Sequence, residues 1–470
     1  MTTSPRAGAL LVAAALTTTW LGVQAPTTAA AAATTPCAAG TPVPSDFDGD
    51  GRADLAVGSA SYSAQDGTRR AEWVRYTGGS DATWVTDSES LVSADLNGDI
   101  CADAVLAAGQ DTDERYGRLV KVVPGTSTGL DLDAATVVTI PQISDDCLDS
   151  EGDCSADLVL TGLRHDGLSQ VAAAVTKRNE GDVSRAYLDI FTFDANLTLT
   201  HTQIIDPDEE RLFSALVSDG ATLALGDPWA TVNGKPDAGA VHLYTPDSSD
   251  PTVMVERRVL TQNSKNVPGT AEAGDGFGAT LAMRDGRLAI GVPGEDDGRI
   301  TDSGAVQPIL WNEKKRTYTA YRQINQDTPG VPGTNEKSDR FGDSLAIARG
   351  LSASGSYDIA IGAEEAYGKL KWAGSVTVAN VTRKLFRTYT QATRGVPGTP
   401  ETNDYFGASL GVLRATSGAD TLLVSIPGDD SVIRTDGKRL TSATTWSSIP
   451  LPSDAPSGTY AWGLGFSTNG

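Results

Sequence analysis

The chain has 470 residues, 39% hydrophobic and 21% charged, with 50 glycines, 23 prolines and a formal net charge of −23. That length allows two or three ordinary domains or one large repeat domain, with a sizeable core in either case. The acidity excludes nucleic acid as a partner, since a polyanion would be repelled. The short runs of Val, Ile, Leu and Thr, set among frequent turn residues, exclude a mainly helical fold.

Residues 1–33 combine one early arginine (Arg6), an apolar stretch of about 15 residues and a run of small residues suited to cleavage near Ala30 to Ala33, the pattern of a secretory signal. The apolar stretch is short for a membrane span and is interrupted by threonines. No later stretch could cross a bilayer. Cys37 lacks the Leu-x-x lead-in of a lipid-modified cysteine, and LPSD at 451–454 is followed by no apolar tail of a wall-sorting signal. The expected product is a secreted, extracellular monomer without a membrane span, carrying −24 once Arg6 is removed with the signal. Residues 34–45 read as a linker and 46–470 as one repeat domain. Four cysteines in an exported chain suggest two disulfides with three possible pairings. The favoured pairing joins Cys147 to Cys154, across an acidic loop, and Cys37 to Cys101.

The stretch SDFDGDGRADLAVG (45–58) runs from closely spaced aspartates straight into an apolar strand, and its DLAVG has echoes along the chain. They are DAVLA, DLVLT, LALG, LAIG, IAIG and LLVS, with last residues at 107, 161, 226, 291, 362 and 425, which with 58 makes seven units. The later units add a second echo: VPGTAEAGDGFGATLA, VPGTNEKSDRFGDSLA and VPGTPETNDYFGASLG, with Phe-Gly at 277, 341 and 406. Each unit is expected to run as a Phe-Gly strand, a hairpin or acidic loop, an apolar strand, an exposed loop and two further strands. In AMRDGRLAIG, Asp285-Gly286 supplies the positive-φ pair of a tight turn. Four antiparallel strands per unit, repeated radially, make an all-β, seven-bladed β-propeller. The first unit has a poor opening strand, because Pro42 and Pro44 each lack a ladder donor. The segment 459–467, TYAWGLGFS, with Trp462-Gly463 in place of Phe-Gly, is expected to complete it.

Phe-Gly followed by LAIGVP or LALGDP, together with DFDGDGRAD, resembles the FG-GAP repeats of the integrin α-subunit head and of related secreted bacterial proteins. The resemblance spans about residues 40–470, although the Gly-Ala-Pro part is degenerate. It implies seven blades, with calcium in some of them. It also implies that the acidic loops lie between first and second strands on one face of the disc.

The first three units align as DFDGDGRAD, DLNGDICAD and DSEGDCSAD. Side-chain oxygens fall at positions 1, 3, 5 and 9: Asp46, Asp48, Asp50, Asp54; Asp95, Asn97, Asp99, Asp103; Asp149, Glu151, Asp153, Asp157. Position 7, held by Arg52, Cys101 and Ser155, would lend only its backbone carbonyl. Gly49, Gly98 and Gly152 let the chain curl so that alternate side chains converge. Oxygen-only, carboxylate-rich, flexible loops select Ca²⁺ over Mg²⁺, so up to three calcium ions are expected. The loops are not EF-hands, since position 12 is Val57, Leu106 or Leu160 in a strand instead of a bidentate glutamate. The ninth-position aspartate is expected to close the cage instead. Asp358 and Asp420 read as isolated surface survivors of lost cages.

On the opposite face Trp229, Tyr367, Trp372 and Tyr405 are candidate aromatic platforms for a sugar, or alternatively packing between blades. Asp275, Asp339 and Asp404, two before each Phe, read as turn caps. Catalysis finds little support: His165, His201 and His242 fall at unrelated places in the repeat, and no nucleophile elbow, zinc pattern or phosphate loop is present. The leading expectation is a non-enzymatic binding or adhesion module for a glycan or an extracellular protein. The alternatives are a polysaccharide-degrading lyase or hydrolase, for which Arg52 beside a calcium would be a candidate base, and a purely structural exoprotein.

Overall fold

The computed structural model describes residues 37, 43 and 45–466, apart from 65–66, 77–81, 87, 111–113, 141–154, 166, 180–181, 207–212, 313, 366, 437, 441–445 and 451–459. Residues 1–36, including the expected signal, lie outside the described residues, as do Cys147 and Cys154.

The architecture is an all-β propeller of antiparallel four-stranded blades. Six blades each take their strands from one stretch of chain, at residues 88–139, 155–205, 215–260, 281–320, 344–389 and 410–449. The sequence predicts seven blades, the first of them completed by residues 459–467, and six form here in this self-contained way. The first unit supplies only three strands, Leu55–Ala64, Gly67–Arg75 and Ala82–Thr86, to a further four-stranded sheet. The missing partner is Tyr460–Phe466, which runs antiparallel to Leu55–Ala64 with Val57 opposite Phe466 and Ser61 opposite Tyr460. The residues ahead of Leu55 are committed to the acidic loop, and Pro42 and Pro44 could not donate to a ladder.

Within a blade, burial follows strand position. Second strands such as Leu223–Asp227 and third strands such as Ser375–Asn380 are buried at every residue, which is why they read as unbroken apolar runs. Outer strands alternate, as in Leu385–Tyr389, and set charged residues along the edge that would otherwise template aggregation. First strands touch one another from blade to blade: Ser88–Ala94 meets Ser155–His165, and Leu281–Arg284 meets Ser344–Arg349. The apolar core therefore lies between sheets, with one cluster joining Val241 and Leu243 of one blade to Ile290 and Trp311 of the next. The hairpin at Asp285-Gly286 forms as expected, with φ of 49° and 72°.

The Phe-Gly pairs do not open the first strands, which begin at Leu281, Ser344 and Leu410. Gly278, Gly342 and Gly407 have φ of 96°, 102° and 90°, outside the range of a strand. Each pair instead stitches two blades. Phe277 N donates to Ala238 O of the preceding blade (3.1 Å), and Gly278 N donates to Gly291 O of the following one (3.0 Å). The same pattern recurs as Phe341 to Ser303 and Gly342 to Gly362, then as Phe406 to Ala373 and Gly407 to Ser425. The three rings are 0%, 1% and 0% exposed. Asp275, Asp339 and Asp404 cap the approach, each Oδ2 accepting the N–H three residues back, from Glu272, Glu336 and Glu401.

The stitch demands a glycine on the receiving loop. A Cβ on Gly374 would sit 2.4 Å from both the N and O of Phe406, at a φ of 82°, whereas a Cβ on Gly368 (φ 65°) would meet nothing within 4 Å. Gly374→Ala should destabilise the fold by roughly 2 kcal/mol or more, and Gly368→Ala by only about 1 kcal/mol. Equal losses for the two in denaturant unfolding would refute the stitch.

Candidate metal centre and blade junctions

The first acidic loop begins where Asp46, buried at 1% exposure, accepts Asp50 N on Oδ1 (3.0 Å) and Gly51 N on Oδ2 (2.9 Å). Asp48 Oδ1 accepts Asp50 N (3.1 Å), and Asp50 Oδ1 accepts Arg52 N (2.8 Å). These bonds curl the chain through Gly49 and Gly51, at φ of 67° and 85°. One carboxylate oxygen from each of Asp46, Asp48 and Asp50 then lies within 4.8 Å of the others. Burial pushes the Asp46 carboxyl up to about 6 and also raises Asp48. Gathering three negative charges at that spacing is unfavourable by on the order of 1 to 3 kcal/mol per pair without a cation. Each carboxylate keeps lone pairs beyond those given to backbone N–H groups.

Asp54 stands apart from that trio. It is fully buried, and its Oδ2 accepts Phe47 N (2.8 Å), closing the base of the loop. Asp103, at the same position of the second loop, accepts Leu96 N on Oδ2 (2.7 Å) and Gly125 N on Oδ1 (3.0 Å). Asp358 extends the series and Asp420 stands one position earlier in its unit; both correct the surface assignment, being 0% and 1% exposed. Asp358 binds Ser352, Ser356 and Asn380, while Asp420 accepts Arg349 N, Ala415 N and the Arg284 guanidinium. The ninth position is a turn clasp in blades with an acidic loop and in blades without one.

The second loop is less open to an ion. Asp95 is paired with the Arg164 guanidinium, and Asn97 Nδ2 donates to Asp99 Oδ2 (3.1 Å). Burial raises the Asp99 carboxyl and pushes Asp103 up to about 8. Cys101 is joined to Cys37 in a disulfide, so neither sulfur is a thiolate ligand beside Asp99. That disulfide backs the first loop, since a Cβ on Gly49 would lie 2.6 Å from Cys37 Cβ and 3.1 Å from Cys101 Sγ. Ala102 N donating to Asp46 O (2.7 Å) joins the two loops. Arg52 is exposed. In the third loop Asp149, Glu151 and Asp153 lie outside the described residues, and the side chains of Ser155 and Asp157 likewise.

A model of the FG-GAP repeat matches residues 39–70, the segment that holds the first loop and the strand after it. The chain carries an FG-GAP repeat within an all-β propeller. No curated protein sequence matches it. Among solved structures, the propeller is similar to a Lactobacillus plantarum protein at 11% identity, over 87% of this chain and 98% of that one, with a TM-score of 0.46. It is also similar to the periplasmic gluconolactonase of Pseudomonas aeruginosa (11% identity, 84% and 100% covered, 0.42) and to a variant of the Synechocystis apocarotenoid oxygenase (8%, 89% and 92%, 0.39). Likeness at this level bears on no functional point.

Opposite the acidic loops, because successive turns of an antiparallel sheet lie at opposite ends, the propeller presents the loops between second and third strands. Trp229, Tyr367 and Trp372 lie there and are 47%, 47% and 42% exposed, while Tyr405 is half-buried. The sequence reading missed the polar junctions at this end. Buried Gln262 donates Nε2 to Glu295 Oε2 (2.5 Å) and Gln391 to Asp429 Oδ2 (2.6 Å), while Gln326 hydrogen-bonds Asp339. Each glutamine leaves one blade and meets an acid of the next. The VPGT glycines Gly269, Gly333 and Gly398 lie against these amides, which leaves no room for a larger residue at Gly398. A legible signal existed: each glutamine stands five residues before the VPGT valine, at Val267, Val331 and Val396.

Burial, and then the charge of Asp275, pushes Glu295 up to about 7, and burial pushes Asp275 and Asp339 up to about 6. A carboxyl that holds its proton more tightly folded than unfolded contributes stability in full below about 4.5. That contribution is lost as pH rises through about 7. Glu295→Gln should remove this fall, so the stability difference between the two proteins should change across pH 4.5 to 7. A flat difference curve in urea unfolding would refute the buried-carboxyl reading.

Proposed function

We propose that this protein is an exported, calcium-stabilised FG-GAP propeller whose role is to bind a glycan or an extracellular protein. In this reading all seven four-stranded sheets are blades of one ring. Its support is that Tyr460–Phe466 touches both Leu410–Leu413 and Ser88–Ala94, so the first strands follow one another around without a break. Export is supported by the Cys37–Cys101 disulfide, which belongs in an oxidising compartment.

The calcium reading rests on the convergence of Asp46, Asp48 and Asp50. Their donors are all oxygen, which suits a hard divalent cation. These three would hold the ion, and the ion would supply the charge that lets the loop close. Arg164 already neutralises Asp95, so the proposal is confined to the first loop.

The observation that carries the binding role is the set of three exposed aromatic rings on second-to-third strand loops. Large rings held on rigid loops are what recognition surfaces use. A glycan array and a pull-down from cell-surface extracts, both in millimolar-range calcium, test it. Retention on neither would overturn it. For the ion, calcium should raise the melting temperature and Asp48→Asn should abolish most of that rise. An unchanged shift in the variant would remove Asp48 from the site.

A further inference from the structure

The blade of residues 215–260 departs from its neighbour at one place. In the 281–320 blade, Glu295 accepts a hydrogen bond from Gln262, arriving from the preceding blade, and Gln323 of its own outer segment lies beside it. In the same register after Gly226 and Gly291, Ala230 stands where Glu295 does. In the same register before Gln262 and Gln326, Val259 stands where Gln323 does. With both polar side chains replaced by smaller apolar ones, a cleft of about 780 Å³ opens, lined among others by Asp227, Trp229, Asn233, His242, Thr261 and Asn263.

Its floor is built for a polar ligand. His242, 3% exposed, has Nδ1 2.9 Å from Glu256 Oε2, the position of an N–H donating to that carboxylate. Nε2 has no hydrogen-bond partner among the described residues and lies 4.0 Å from Asp227 Oδ2. In the neighbouring blade, Gln307 occupies the place of His242 and gives its Nε2 to Tyr321 O (2.8 Å). A buried ring nitrogen without a partner is costly, and a hydroxyl supplied from the cleft, able to donate or accept, removes that cost. Above this floor the Trp229 ring is about half exposed, at the mouth.

We propose that the cleft binds a short neutral oligosaccharide. One sugar ring stacks on Trp229, a hydroxyl pairs with His242 Nε2, and its neighbour reaches Asp227. Asn233, Asn263 and Thr261 complete the polar rim. Asp227, Glu256 and the net charge of −23 reject uronate- or sialate-bearing chains. This inference rests on the binding-module reading and selects, within it, one site and one ligand class.

The test is calorimetric titration of the full chain with neutral β-glucan, xylan, mannan and galactan oligosaccharides, and with sialylated and polyuronate ones. Trp229→Ala, His242→Gln and, as an exposed apolar control on the outer strand of another blade, Leu385→Ala are compared, with melting curves to check folding. Trp229→Ala alters an exposed ring, so it stands as the test if His242→Gln fails to fold. A neutral oligosaccharide should bind, lose about tenfold or more in affinity with Trp229→Ala, and lose nothing with Leu385→Ala. Binding unaffected by Trp229→Ala overturns the cleft while leaving the module reading intact, and preference for acidic chains overturns the ligand class. If no saccharide binds, the inference falls, and capture of a cell-surface protein decides whether the wider reading falls with it.

Discussion

The propeller is held together where one main-chain amide points backwards and the next points forwards. Phe277 N bonds a loop carbonyl of the blade already made, while Gly278 N bonds a second-strand carbonyl of the blade being started. The buried ring between them excludes water from both bonds, so neither amide can exchange its partner for solvent. This geometry requires a positive φ at the glycine and a second glycine on the receiving loop, at 239, 304 or 374, so that two backbones can approach. The aspartate caps, the VPGT linkers and the glutamine junctions all surround this one arrangement.

Much of this was legible in the sequence. The echoes of DLAVG located the second strand of every unit, because strands buried on both faces are necessarily apolar and short. The Asp-Gly turn at 285–286 and the turn caps at Asp275, Asp339 and Asp404 were readable from local chemistry. So was the trio Asp46, Asp48 and Asp50, because alternate side chains of a tightly curled loop must converge. Other features depended on partners distant in sequence. Phe-Gly looks like the start of a strand until the carbonyls it bonds are known, at Ala238 and Gly291. The ninth-position aspartates look like ligands because acidity is visible in sequence, whereas the backbone N–H groups that occupy Asp54 and Asp103 are not. Asp358 and Asp420 look solvent-exposed for the same reason.

The acidity itself is distributed in two ways. Outside the core, carboxylates face water and keep a strongly negative chain dispersed. Within the turns and junctions they are placed singly against backbone N–H groups or amides, as at Asp103 and Glu295, where burial favours the protonated form. Among the described residues, only the first loop brings three of them together without an arginine, and Arg164 separates the second loop from that behaviour.

The composite sheet carries a consequence for biosynthesis. Leu55–Ala64 emerges early from the ribosome but cannot acquire its neighbour until Tyr460–Phe466 has been made, with six blades of chain between them. Throughout that interval one flank of its backbone ladder is unpaired, the condition in which strands recruit whichever other strand is nearest. Synthesis cut short anywhere in the intervening blades would leave that flank permanently open. Translocation in an extended state, with folding only after the whole chain has crossed, would spare the cell this hazard.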